Sequence, residues 1–476
     1  MKKDYNSKTI KMKKKLQIIG IAWMWSLSIY AGGLVTNTNQ NVAFLRNPAR
    51  EASMEIDAAY TNPAGLAFLN KDGLFFSLNN QSAFQKRTIT VDFAPFAGFG
   101  GDAEKKFEGK ATAWAVPNLQ AAYKIGKWVF SANLGVVGGG GTVDFKSGLP
   151  SFESLVAIAP VFLNGALSTT NYGGYTLESQ LKGSSITYGA QLGATYRIVE
   201  HFSAYAGLRY NYVDNSYKGH VRNVELGMNG GLIPAAAILS SFNGTPAAAL
   251  LTALIGDKEL NFKESGSGVA PIIGLDYHWN GLNIGAKYEF KSSVTLKNKT
   301  VVNTTGLKHY DDGETTPYGI PALLAAGVQY DIIPQLTVSA SYHHFFDSDA
   351  KMANNKQKFI HGGINEYLAG VEYRINDLFL VSCGTQFTRT GITDDYQTDM
   401  NFSLNSYSLG IGGAINVTKN IRINLAYFFT NYDDWTKKIA DYGNINSLST
   451  VIPATPGTDI FGRTNQSFGI GLDFRF

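Results

Sequence analysis

The feature that most constrains this chain is an apolar residue at every second position, in runs that recur to the last residue, Phe476. In the final run Phe468, Ile470, Leu472, Phe474 and Phe476 share one face, and Ser467, Gly469, Gly471, Asp473 and Arg475 share the other. A strand sends alternate side chains to opposite sides of a sheet. The same rhythm returns in Trp128 to Val136, Ile186 to Ile198, Phe202 to Tyr212, Leu282 to Phe290, Tyr367 to Ile375 and Ile421 to Phe429. Runs of roughly ten residues, rich in Tyr, Phe and Gly and joined by turns, predict an all-β chain folded as a transmembrane antiparallel β-barrel.

The remaining composition fits one barrel rather than several domains. An apolar content of 44% is too low for a bundle of spanning helices, and no internal stretch reads as one. The net charge of +4 on 476 residues, with no basic cluster among aromatics, argues against nucleic acid. Cys383 is the only cysteine, which excludes a disulfide framework. Lys11 to Lys15, the apolar Leu16 to Tyr30 and the small residues Ala31, Gly32 and Gly33 predict a signal peptide over 1–31, with Met12 an alternative start.

Residues 32–72 lack the alternation and are read as an N-terminal hatch, followed by the barrel over 73–476. About fourteen strands are expected, an even number as bacterial outer-membrane barrels use. Short connectors such as Ile125-Gly126, Val199-Glu200, Asn280-Gly281 and Asn376-Asp377 alternate with long ones near 95–107, 146–181, 222–261, 297–316, 348–360, 392–400 and 436–462. The short turns belong on the periplasmic side and the long loops outside.

Two long loops are apolar and helical in pattern. One carries Leu155, Val156, Ile158, Val161 and Phe162, the other Ile238, Leu239, Leu250, Leu251 and Leu254. As an exposed apolar surface they would capture a hydrophobic ligand; alternatively the two loops pack on each other over the barrel mouth.

The stretch Asp57 to Leu66, with Asn62-Pro63-Ala64 directly before the first strand, resembles the hatch motif of the FadL-type long-chain fatty acid transporters, which include toluene and xylene channels. The version from Gly32 to Leu69 resembles that of Bacteroides-type members. Asn47-Pro48-Ala49 repeats the tripeptide fifteen residues earlier. The resemblance implies a plugged fourteen-stranded barrel in the Gram-negative outer membrane that takes up hydrophobic small molecules. It further implies a kink in the third strand that opens the wall sideways. Here that strand holds Gly138, Gly139, Gly140 and Gly141, whose lack of side chains weakens pairing and permits a bulge.

A fatty acid needs a cation for its carboxylate. Parity places Arg209, Lys287, Arg374 and Arg422 toward the lumen as candidates, alongside Glu289, Glu366, Glu372 and Asp473, with interior ion pairs as their other explanation. No Ser–His signature or metal-ligand spacing emerges, so neither an enzyme, a cofactor nor a metal is expected. The expected function is passive uptake of hydrophobic compounds, long-chain fatty acids first, by a monomer in contact with outer-membrane lipid. An aromatic hydrocarbon channel and a general diffusion porin stand as alternatives.

Overall fold

The computed structural model describes residues 39–444 and 454–476. The signal peptide expected at 1–31, hatch residues 32–38 and loop residues 445–453 lie outside them.

Alternation builds one closed antiparallel sheet of fourteen staves. In chain order these are β1 (Gly73–Phe93), β2 (Glu104–Ile125), β3 (Trp128–Phe145), β4 (Tyr172–Val199), β5 (Phe202–Met228) and β6 (Lys258–Trp279). They continue with β7 (Leu282–Glu289 and Ser292–Asn303), β8 (Thr315–Ile320 and Leu323–Ile333), β9 (Leu336–Phe345) and β10 (Ile364–Arg374). The last four are β11 (Phe379–Arg389), β12 (Ser406–Thr418), β13 (Ile421–Tyr432 and Trp435–Ile439) and β14 (Gly457–Arg475). β1 closes on β14 without a slip from Phe75↔Arg475 to Phe93↔Gly457. Closure removes the free edges that a first and a last stave would otherwise present to lipid. Pro321, which has no N–H to donate, stands at the break in β8.

The two faces differ as the pattern requires. Leu78, Leu134, Leu192, Leu208 and Ile470 are exposed on the outside, whereas Ser77, Asn79, Gln120, Asn133, Gln191 and Thr195 are buried on the inside. An apolar outer band around a polar, filled lumen defines a transmembrane β-barrel of the outer membrane.

Two expectations need correction. β4, β5 and β7 run well beyond the limits set by their apolar residues, because Ser, Thr, Lys and Asn continue to pair once the strand has left the hydrocarbon. Secondly, the helical stretch Pro150–Leu167 is long and apolar enough by composition to cross a membrane. It lies instead across the outer mouth as two helices, α2 (Pro150–Ala157) and α3 (Ala159–Leu167), beside α4 (Ala235–Ser241) and α5 (Ala248–Ile255); α1 (Val42–Arg46) is in the hatch.

Candidate functional site

The hatch is held by lumenal side chains that take up its own backbone groups. Gln191 donates to the Ala59 carbonyl at 3.0 Å, Thr195 to Pro63 at 2.7 Å, Ser203 to Ala64 at 2.8 Å and Asn283 to Ala52 at 2.8 Å. These bonds satisfy a segment too irregular to satisfy itself. Asn62-Pro63-Ala64 opens a 3-10 turn over Pro63–Phe68. The Asn62 side chain does not cap that turn, as Asn commonly does; it donates to the Leu275 carbonyl of β6 at 3.0 Å and to Asp276 at 3.2 Å. Gly274 and Gly285 make room for it, since a Cβ there would lie 2.5 Å and 2.6 Å from the Asn62 amide. The first copy of the tripeptide is also seated on the wall: Asn47 donates to Ser339 of β9 at 3.2 Å and caps its own Ala49 N–H at 3.1 Å.

Charge locks the same segment. Arg50 pairs with Asp57 at 2.6 Å and Glu372 at 3.0 Å, Arg46 pairs with Glu372, and Glu55 pairs with Arg422 at 2.6 Å. Burial pushes the Glu55 carboxyl up, but Arg422 and then Arg50 outweigh it, so it lies below the ordinary carboxylate range. Glu51 lies low too: burial is outweighed by the hydrogen bond from His343, 3.0 Å away, and by the charge of Lys287. His344, next in the strand, points the other way and meets Asn365.

Above the hatch the wall is interrupted. β2 and β3 pair up to Ala111↔Val143 and next at Asn118↔Gly135, so residues 112–117 and 136–142 do not pair with each other. β3 stays on β4 instead, through bulges at Val136/Gly138 and Gly139/Gly141. Gly139 and Gly141 have φ of 91° and 74°, the left-handed region that glycine alone enters freely. A cavity of about 440 Å³ opens at this break. Hatch residues Phe44 and Leu45 and wall residue Phe428 line its inner part; Ala113, Val116, Pro117, Val136, Gly138, Gly139, Gly141 and Tyr188 line the part at the break.

The four basic candidates lie apart from that cavity. Arg209 bonds Glu289 at 2.5 Å and Gln191 at 2.6 Å; Lys287 donates to the Tyr60 carbonyl at 3.2 Å; Arg422 is taken by Glu55; Arg374 is exposed near a periplasmic turn. The cations that do line the cavity are Arg87 of β1 and Arg463 of β14, which the sequence reading passed over. Parity alone places both in the lumen, and the distinguishing signal was their common register. Arg87 lies 5.9 Å from the Phe402 ring centroid and Arg463 5.1 Å from that of Tyr432. Among the described residues neither forms an ion pair, and Arg463 Nε is buried without a partner.

The apolar outer loops are not an exposed patch. Val156, Ile158, Phe162, Ile238, Leu250, Leu251 and Leu254 are buried in one core with Phe93, Phe107, Phe262 and Phe461, Leu155 and Leu239 are half-buried against it, and only Val161 of the ten is exposed. The two loops pack on each other and on the inner wall of the mouth, because apolar helices over an open lumen gain more from mutual burial than from display.

The chain is thus a plugged outer-membrane barrel with a cavity of mixed polar and apolar lining at a break in its wall. The fold is that of the FadL-type transporters. A Pseudomonas aeruginosa FadL homologue superposes with a TM-score of 0.62 at 12% identity, over 94% of this chain and 100% of that one. The P. putida toluene transporter TodX gives 0.53 at 16%, over 89% and 94%, and the Ralstonia pickettii toluene transporter TbuX 0.53 at 15%, over 93% and 100%. No family model and no curated protein matches the sequence.

Proposed function

We propose that this protein admits amphipathic hydrophobic acids, long-chain fatty acids foremost, by passive diffusion as a single chain. The observation that carries the reading is one cavity lined by apolar hatch residues, by the Arg87 and Arg463 guanidiniums and by both edges of the β2–β3 break. The ligand enters beneath the helical cap, whose Leu155, Val161 and Leu239 remain accessible, and lays its chain on Phe44, Leu45 and Phe428. Its carboxylate meets two cations that have no carboxylate partner among the described residues. Onward passage through the hatch would break several buried ion pairs, each costing about 3–5 kcal/mol when one partner is lost. Sideways passage at Gly138 to Gly141 breaks none. Neutral aromatic hydrocarbons fit the apolar part of the cavity but leave the arginines unused.

The test is a reversible staple across the break. A Cβ on Gly141 would lie 3.7 Å from the Ala113 Cβ, within the roughly 3.5–4.5 Å a disulfide spans, at the backbone strain of a side chain at φ 74°. A larger side chain at Gly139 is unsuitable, as its Cβ would sit 2.1 Å from the Ser185 carbonyl oxygen. In a Cys383→Ser background, Ala113→Cys with Gly141→Cys should slow uptake of a labelled long-chain fatty acid when oxidised and restore it on reduction. Equal uptake in both states sinks the lateral route. Unselective passage of small polar solutes would replace the whole reading with a porin.

A further inference from the structure

Outside the apolar band, the outward face of the wall carries lysines in register. Lys86 of β1 stands opposite Lys110 of β2, Lys182 of β4 opposite Lys218 of β5, and Lys263 of β6 opposite Lys299 of β7. Like charges directly opposite one another across strands are destabilising. Glu108 neutralises Lys86 at 2.5 Å and Asp144 stands between Lys110 and Lys182 in the register, but among the described residues Lys182, Lys218, Lys263 and Lys299 form no ion pair. No such lysine pair occurs in the register of β9 to β12.

Height matters as much as charge. Tyr188 and Tyr212, opposed and exposed, mark the outer rim of the apolar band on β4 and β5. Lys182 and Lys218 lie six residues further out on the same face. At about 3.4 Å per residue and a tilt near 40°, that is roughly 15 Å beyond the rim. The next outward pair, Gln180↔His220, borders a groove of about 590 Å³ that also holds Lys146 and the ion pairs Lys105–Glu153 and Arg222–Glu178. Paired cations there, beyond the interfacial layer of about 5–8 Å on each side, and the polar groove above them complement phosphates carried on a saccharide.

We infer that the outward face of β4 to β7 docks the phosphorylated glycolipid of the outer leaflet. Its phosphates bridge the Lys182–Lys218 and Lys263–Lys299 pairs, its saccharide occupies the groove, and its acyl chains cover the apolar band below. Asp144, Asp214 and Glu259 share this face, but among the described residues none pairs with the four lysines, and the phosphates supply that counter-charge. This docking is independent of the transport route.

The test uses purified full-length barrel titrated with rough-form lipopolysaccharide, with the same lipid dephosphorylated, and with inorganic phosphate. Lys182→Gln, Lys218→Gln, Lys263→Gln and Lys299→Gln combined should weaken binding of the phosphorylated lipid by more than about a hundredfold, each surface cation contributing roughly fivefold. The corresponding four-Arg variant should bind as the parent does. Heat-modifiable gel mobility establishes that each variant is folded, and the four-Arg variant gives a second reading should the four-Gln variant misassemble. Binding by the folded four-Gln variant within about twofold of the parent, equal binding of dephosphorylated lipid, or loss of binding in the four-Arg variant would overturn the assignment. Competition by inorganic phosphate at the same concentration would assign the site to free phosphate and overturn the lipid.

Discussion

Arg87 and Arg463 stand opposite each other across the β1–β14 seam and share one acceptor, Gln85 Oε1, at 2.8 Å and 3.0 Å. Among the described residues a single amide oxygen between two guanidiniums leaves most of their donors without a carboxylate partner. The pair is therefore poised for an anion with two oxygens, which a carboxylate supplies.

Replacing both, as Arg87→Gln and Arg463→Gln, should weaken binding of a long-chain fatty acid at least about tenfold, because a hydrogen bond to a charged group is worth roughly 1.5–3 kcal/mol. The matched long-chain alcohol should bind equally to parent and variant. Calorimetric titration of both ligands checks this, and parallel losses for acid and alcohol would refute a carboxylate role.

Arg50→Ala should loosen the hatch without unfolding the barrel. It strips a cation from Asp57 and Glu372, both shielded from solvent, at a cost of about 3–5 kcal/mol. Hydrogen exchange over residues 39–72 should accelerate while the strands keep their protection. Deleting residues 32–61 should go further and admit small polar solutes in a conductance measurement.

The hatch should tolerate mild acid. Glu51 and Glu55 titrate below the ordinary carboxylate range, so their contribution is complete above the unfolded value near 4 and is lost only as pH falls through the lower folded values. Protection of residues 39–72, corrected for the intrinsic pH dependence of amide exchange and measured at pH 7, 5 and 3, should be flat between the first two and lower only at the last. Loosening already at pH 5 would mean that other groups hold the hatch.

Leu251→Ala should destabilise the cap by about 2–5 kcal/mol, since Leu251 is fully buried among the loop helices. Limited proteolysis should then cut within 146–171 or 229–257, with the barrel's heat-resistant mobility unchanged. Fatty acid uptake should rise or hold, as the cap covers the mouth rather than lining the cavity.

The sequence alone determined the barrel and its stave number. These follow from local chemistry: a period of two assigns each side chain to lipid or lumen, short and long connectors alternate, and a segment without the period cannot be a stave. It also marked the glycine run, because missing side chains show in any sequence. Tertiary structure decided which cations matter. Arg209, Lys287 and Arg422 look identical to Arg87 and Arg463 by parity, and only the partners brought from distant staves or the hatch separate a neutralised charge from a free one. Tertiary structure also turned the apolar loops inward. Whether a hydrophobic helix is displayed or buried depends on what stands opposite it, and that partner lies about ninety residues away in the chain, beyond the reach of any local pattern.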